Sequence, residues 1–180
     1  MALVVCGIFL GVMFSSFLFT PIAAPSEESG QSIKYTGVVC VSKNNEPMVC
    51  KHNLFTNMGK NIVKDLVGVG GNVGGALSNV SYIAIGNQTV TQAITDVTLD
   101  NEWLDCGLNR AMGTFNTNTI SNGNWTLTKE FTSTCNGVVV NNTGLYNKSA
   151  GNFLFAENTF TDATLQANDK INITWFIWVV

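Results

Sequence analysis

The sequence predicts a mainly β domain, a β-sandwich or jelly-roll-like fold with one short amphipathic helix. Three observations lead to this prediction. Apolar, β-branched runs recur at short spacing between turn-forming Gly and Asn residues. A single stretch of the chain changes to the three- and four-residue spacing of a helix. The chain has 180 residues, 46% of them hydrophobic, which is enough to bury a two-layer core.

Eight runs have the composition of strands. Residues 33–41 are rich in Val, and residues 171–180 begin with apolar side chains at every second position. The pair Asn122-Gly123 predicts a hairpin turn between residues 108–120 and 125–134. The remaining predicted strands are residues 48–50, 80–85, 138–146 and 153–160.

The predicted helix follows the second strand. Thr56 or Asn57 is expected to cap its first turn, because short polar side chains accept the free N–H groups there. The Gly-rich residues 68–75 are expected to end it after about three turns. The apolar residues that define its spacing are Leu54, Phe55, Met58, Ile62 and Leu66.

Residues 1–25 are predicted to be a signal peptide. Residues 2–24 carry no charge, and small residues precede a polar, acidic run at residues 25–31. A retained membrane anchor and a buried core helix are the two alternatives. Residues 26–41 then form a linker and the first strand, and residues 42–180 form the sandwich domain. The sequence therefore predicts an extracellular protein that meets a membrane only during export.

The charge composition limits the range of partners. Only 12% of the residues are charged, and the formal net charge is −3. Nucleic-acid binding requires a basic surface that neutralises phosphates, so nucleic acid is not an expected partner.

The cysteines predict a disulfide framework outside the cytoplasm. Cys6 lies in the leader, which leaves an even set in the domain. Cys40 and Cys50 flank a short turn almost symmetrically, and Cys106 and Cys135 flank the turn at Asn122-Gly123. We therefore favour the pairs 40–50 and 106–135; redox or zinc sites are the weaker alternative, because there is no CxxC motif and the sequence holds one histidine.

The sequence offers no recognisable catalytic set, so an enzyme is not predicted. His52 is the one histidine and lies in a polar segment, which disfavours a nucleophile–histidine pair. The Gly-rich residues 68–75 lack the Lys-Ser/Thr ending of a phosphate-binding loop. No cofactor is expected.

One acidic concentration leaves calcium binding open. Carboxylate oxygens bind calcium, and a carboxylate pair could serve a glycosidase, but a solvated loop is the simplest interpretation. The residues concerned are Asp96, Asp100, Glu102 and Asp105.

Sequons for N-linked glycans recur along the chain. A composition rich in Asn, Ser and Thr produces several N-x-S/T tripeptides by chance, so this prediction depends on export. The predicted glycosylation sites are Asn79, Asn87, Asn124, Asn141, Asn147 and Asn172.

Residues 31–41 allow two interpretations. In a monomer they are the first strand of the sandwich, whereas in a polymer the same apolar strand could fill a groove in a neighbouring copy. Such a head-to-tail exchange produces a filament.

Short motifs in a fixed order resemble archaeal surface-filament subunits, namely the thread and bundling-pilus proteins and, more loosely, the cannula proteins. The final motifs also resemble some viral tail or virion proteins. The motifs are residues 53–66 (NLFTNMGKNIVKDL), 82–87 (YIAIGN), 98–102 (TLDNE), 107–110 (GLNR), 143–147 (TGLYN), 154–156 (LFA) and 169–175 (DKINITW).

The resemblance implies a β-sandwich subunit joined by donor-strand complementation to copies of itself, for adhesion, bundling or biofilm formation. The alternatives are a viral structural protein and a monomeric secreted binding domain. If the Cys40–Cys50 hairpin pins its strand, the donor would instead lie within residues 26–35. The implied N-terminal donor strand comprises Ser32, Ile33, Lys34, Tyr35, Thr36 and Val38, and the implied acceptor groove Ile171, Ile173, Trp175 and Ile177.

Overall fold

In a computed structural model, the described part of the domain consists of two five-stranded antiparallel sheets and one short helix, which confirms the predicted mainly β, sandwich-like fold. The structure describes residues 35–68, 79–116 and 124–179. The predicted signal peptide, the linker up to residue 34 and most of the Gly-rich segment lie outside the described residues. Within the described part, no helix is long and apolar enough to cross a membrane.

The strands agree with the predicted runs to within a few residues, apart from residues 108–120. The helix α1 spans Asn57–Gly68. The strands are β1 (Tyr35–Lys43), β2 (Val49–His52), β3 (Leu54–Phe55), β4 (Tyr82–Gly86), β5 (Ala111–Met112), β6 (Thr114–Asn116), β7 (Asn124–Thr132), β8 (Val138–Tyr146), β9 (Leu154–Leu165) and β10 (Lys170–Val179).

The first sheet has the order β2-β1-β10-β7-β6, and the second sheet has the order β3-β9-β8-β4-β5. The chain passes between the sheets at Asn53 and again at Gly113, each time between two short strands. A Cβ at position 113 would lie 2.7 Å from Leu127 Cγ, so glycine permits the crossing. The continuous strand predicted for residues 108–120 is therefore wrong, because β5 and β6 belong to different sheets.

The helix begins where the sequence predicts. The Gly59 N–H donates to Thr56 Oγ1 at 2.9 Å, which makes Thr56 the cap and Asn57 the first helical residue. Ile62 of α1 is buried in the core. Leu54 and Phe55 precede the helix and pair with β9 instead of extending the helical pattern.

The core lies between the sheets, and a smaller apolar cluster lies on the outer face of the second sheet. Ile83 and Ile85 of β4 join the main core, whereas Ala84 between them faces the opposite way. The smaller cluster consists of Ala84, Leu99, Tyr146 and Leu154. Residues 87–110, called the covering segment below, supply Leu99 and shield this face from solvent.

Both predicted disulfides form. Cys40 and Cys50 lie opposite one another on β1 and β2, and their Cα atoms are 4.1 Å apart. Cys106 of the covering segment bonds to Cys135 in the connection between β7 and β8. Two disulfides indicate a protein located outside the cytoplasm.

Candidate functional site

The strand ladder between β1 and β10 is the structural element that bears on the predicted assembly. It holds nine directly opposed residue pairs, from Tyr35 opposite Val179 to Lys43 opposite Ile171. The predicted donor residues Tyr35, Thr36 and Val38 lie in this ladder within their own chain. Ser32, Ile33 and Lys34 lie outside the described residues.

The predicted acceptor residues lie on β10 and face the core. β10 has β1 on one side and β7 on the other, so both of its backbone edges are paired within the single chain. The indole Nε1 of Trp175 is buried and has no hydrogen-bond partner among the described groups. Ile171, Ile173, Trp175 and Ile177 are each at most 1% exposed.

An aromatic cluster anchors the first residues of β1. The Tyr35 ring stacks on Phe55 with ring centroids 4.2 Å apart and meets Phe155 edge-on at 5.3 Å. Burial raises the pKa of the Tyr35 hydroxyl well above its ordinary value, against a smaller opposing effect from Asn53. This cluster lies beside Asn53, the residue at which the chain changes sheets.

β1 and β2 form an edge unit, called the N-terminal hairpin below and comprising residues 35–52. Among the described strands β2 pairs with β1 alone, and all four of its residues are exposed, including His52. The Cys40–Cys50 disulfide lies within this unit. In the described chain its covalent link to the rest of the domain runs through Asn53.

The turn of the N-terminal hairpin rests on the turn that precedes β10. Asn44 donates its side-chain N–H to Asp169 Oδ1 at 2.9 Å and accepts the Lys170 N–H at 2.7 Å. Lys43 Nζ lies 3.5 Å from Asp169 Oδ2. The pKa of the Asp169 carboxyl is lowered, first by the Gln166 backbone N–H and then by Asn44.

A groove of about 350 Å³ separates the N-terminal hairpin from the second sheet. Its floor includes Val41 and Phe160, and the exposed side chain of Val49 lies at its rim. Two polar contacts join the hairpin to β9 nearby, from Asn158 Nδ2 to the Lys51 carbonyl at 2.9 Å and from Lys43 Nζ to the Thr164 carbonyl at 2.6 Å. The hairpin therefore packs less closely on β9 than on β10.

The acidic residues of the covering segment serve separate structural roles. Asp100 accepts the N–H groups of Thr89 and Val90, and Asp96 accepts that of Ala93. Glu102 pairs with Arg110 at 2.6 Å. Within the described ranges no three His, Cys, Asp or Glu side chains gather closely enough to hold a metal ion, and this includes Asp96, Asp100, Glu102 and Asp105, where the sequence left calcium open.

The sequence patterns did not single out Arg110 and Glu157, two ionisable residues with buried side chains. Arg110 lies 3.4 Å above the Tyr146 ring, and Glu157 is 2% exposed on β9. The only sequence signal for Glu157 is an acidic residue within the apolar run of residues 153–160. A single sequence does not show that the covering segment encloses these residues.

The structure separates the predicted glycosylation sites by exposure. Asn79 is exposed and is the best candidate. Asn147 is 2% exposed, so it does not fit a glycan in the folded domain, whereas Asn172 is half-buried on β10. Asn141 Nδ2 donates hydrogen bonds to the Gln88 carbonyl and to Asp162 Oδ1. The remaining sites, Asn87 and Asn124, are half-buried.

Comparison with known proteins assigns no family. No protein-family model, curated protein or solved structure matches the chain. The function must therefore be inferred from the geometry of the domain.

Proposed function

We propose that the chain is a non-enzymatic structural subunit of an extracellular filament, which polymerises by exchanging its N-terminal hairpin between copies. The observation that carries this proposal is the β1–β10 ladder of nine residue pairs at the edge of the first sheet. A copy of β1 from another subunit would make the same backbone hydrogen bonds and fill the same core positions. Adhesion, bundling or biofilm cohesion would be the role of the polymer.

The exchanged unit is the hairpin and not β1 alone. Cys40 on β1 is bonded to Cys50 on β2, so the two strands must move together while the disulfide is intact. β2 has no other strand partner among the described residues, and it can therefore leave without breaking a second ladder. The proposed donor therefore comprises residues 35–52 and continues past residue 38, where the donor strand implied by the resemblance ends.

Exchange conserves the contacts that hold the domain together. If the hairpin left without a replacement, Ile173, Trp175 and Ile177 would lose their cover from β1. Exposing such side chains costs about 1.5–3 kcal/mol each, so an open monomer would be scarce. A hairpin from a second copy removes that cost, and only the backbone around Asn53 has to change direction.

The direction of exchange decides the form of the assembly. If two copies exchange hairpins with each other, the product is a closed dimer. If each copy donates to the next, the contact is head-to-tail and the product is an open filament. The proposal requires the second arrangement.

A monomeric secreted binding domain is the second candidate. One observation favours it, because the ladder is complete within the single chain and leaves β10 with no free edge. Its outer surface would then carry the function, and the N-terminal hairpin would be a fixed part of the sheet.

Electron microscopy of the purified exported protein separates the two candidates. Negative staining and size-exclusion chromatography over rising concentration should show filaments whose mass is stable to dilution. Monomers alone, at every concentration and after slow refolding from denaturant, would contradict the filament. A single species of twice the monomer mass would instead indicate reciprocal exchange and a closed dimer.

A further inference from the structure

Glu157 is a buried carboxyl group on the outer face of the second sheet. It lies opposite Gly144 of β8, and a Cβ at position 144 would meet Leu154, Tyr146 and Leu99 of the smaller apolar cluster. Opposed residues share a face of the sheet, so Glu157 also points toward the covering segment. It is 2% exposed, and its Oε1 has no hydrogen-bond partner in the described part of the chain.

A second carboxyl group meets Glu157 from the covering segment. Asp96 lies close enough to Glu157 for its side chain and its charge to raise the pKa of that carboxyl. Asp96 also accepts the Ala93 N–H at 2.7 Å, which holds it in a turn of the covering segment. An ionised Glu157 would be repelled by the neighbouring carboxyl group of Asp96, so the neutral form of Glu157 is favoured.

Glu157 is protonated at neutral pH. Burial, and then the hydrogen bond and charge of Asp96, raise the pKa of the Glu157 carboxyl to about 8. Asp100 adds repulsion, and Gln92 opposes the shift.

The remaining charged groups near this pair do not neutralise it. Tyr146 of β8 interacts with Glu157, and burial raises the pKa of its own hydroxyl far above neutrality, so it stays uncharged. Arg110 forms an ion pair with Glu102, with Nη2 2.6 Å from Oε2. Ionised Glu157 would therefore face Asp96 and Asp100 without a cation of its own among the described contacts.

We propose that Glu157 and Asp96 form a proton-dependent latch that fastens the middle of the covering segment to the second sheet and loosens progressively as the pH rises. The latch closes over Leu99, whose N–H donates to Tyr146 Oη at 2.6 Å. It also lies beside the backbone contact from the Leu154 N–H to the Val97 carbonyl at 3.1 Å. Loosening would expose the smaller apolar cluster.

The direction of the pH effect follows from the raised pKa. Glu157 is protonated in both the latched and the opened state below the ordinary glutamate pKa of 4.5, so the latch is fully stabilising there. Its contribution falls as the pH rises toward about 8, because the opened state releases the proton first. Above that value the carboxylate repulsion remains and the segment is weakened.

Hydrogen exchange across pH tests the latch. Protection factors, corrected for the intrinsic exchange rate at each pH, are measured for peptides covering residues 93–99 and for peptides of β10. In the wild-type protein, protection of residues 93–99 should fall about tenfold or more between about pH 6 and pH 9, while β10 stays protected. The E157Q variant, which keeps a neutral hydrogen-bonding group, should show less than a twofold change.

Two further variants keep the test decisive. Asp96→Asn removes the repelling charge and should also flatten the pH profile, even if E157Q folds poorly. Glu130→Gln alters an exposed ion pair on the first sheet and should retain the wild-type profile. A wild-type profile in both E157Q and D96N would overturn the proposal, as would equal loss of protection in β10. These outcomes do not depend on filament formation.

Discussion

The N-terminal hairpin and the covering segment each carry one disulfide, but the two bonds act differently. Cys40–Cys50 joins residues that are already opposed within the hairpin, with a sequence separation of 10. Cys106–Cys135 joins the covering segment to a distant connection, with a separation of 29. The first bond holds a unit together without fastening it to the domain, whereas the second fastens a segment to the domain.

The two regions also rest on different kinds of contact. The N-terminal hairpin is held by a regular backbone ladder, which any copy of the same strand can reproduce. The covering segment is held by particular side chains: Trp103 Nε1 donates to the Val139 carbonyl at 3.1 Å, and Arg110 lies against Tyr146. Exchange between copies therefore suits the hairpin, and local loosening suits the covering segment.

The largest effect on the free energy of unfolding is expected from Trp175→Ala, which removes the buried side chain against which the N-terminal hairpin packs. Trp175 is fully buried opposite Val39 of β1 and Leu127 of β7. Loss of this side chain should lower the free energy of unfolding by about 3–5 kcal/mol, measured by chemical denaturation. Trp178→Ala, on the half-buried face of the same strand, is the control. An equal loss in both variants would contradict the central role of Trp175.

A slightly smaller effect is expected from Arg110→Ala, which removes the anchor of the covering segment. It would leave Glu102 buried without its cation, at a cost of about 3 kcal/mol in the free energy of unfolding. Lys170→Ala breaks the exposed pair with Glu130 and should cost about 1 kcal/mol or less. Similar losses for the two variants would show that burial does not govern the Arg110 pair.

The smallest difference is expected between the two disulfides. Replacing Cys106 and Cys135 by Ser should cost about 1 kcal/mol more than replacing Cys40 and Cys50, because the closed loop is longer. Replacing Cys40 and Cys50 should also allow β1 to exchange without β2, because the disulfide no longer joins the two strands. Thermal unfolding of both double variants measures the difference, and a larger loss from the shorter loop would contradict this ranking.

Local patterns predicted much of the fold. The spacing around Thr56 located the helix and its cap, and the symmetric position of Cys40 and Cys50 gave a disulfide across opposed strands. These features depend on residues close in sequence, where propensity and spacing carry the information. The alternation at Ile171, Ile173, Trp175 and Ile177 likewise identified the buried face of β10.

Long-range contacts account for what the sequence did not predict. Leu99 and Leu108 are buried in a segment without regular spacing, and the crossing at Gly113 depends on the approach of Leu127. Glu157 is enclosed only because the covering segment folds back over β9. The ladder between β1 and β10 has the same side-chain pattern within one chain as between two chains, so a single sequence does not distinguish them.

An isotope-mixing cross-link tests the exchange of the N-terminal hairpin most directly. Equal amounts of ¹⁵N-labelled and unlabelled chain are unfolded together, assembled, and treated with a carbodiimide that joins amines to carboxylates. Lys43 Nζ of the N-terminal hairpin lies 3.5 Å from Asp169, which belongs to the rest of the domain. Lys170 Nζ lies 2.7 Å from Glu130, and both residues lie outside the hairpin, so this pair is the control. Exchange predicts that about half of the Lys43–Asp169 cross-links join a labelled to an unlabelled peptide, while the control cross-links stay unmixed. Unmixed Lys43–Asp169 cross-links in assembled material would contradict the exchange.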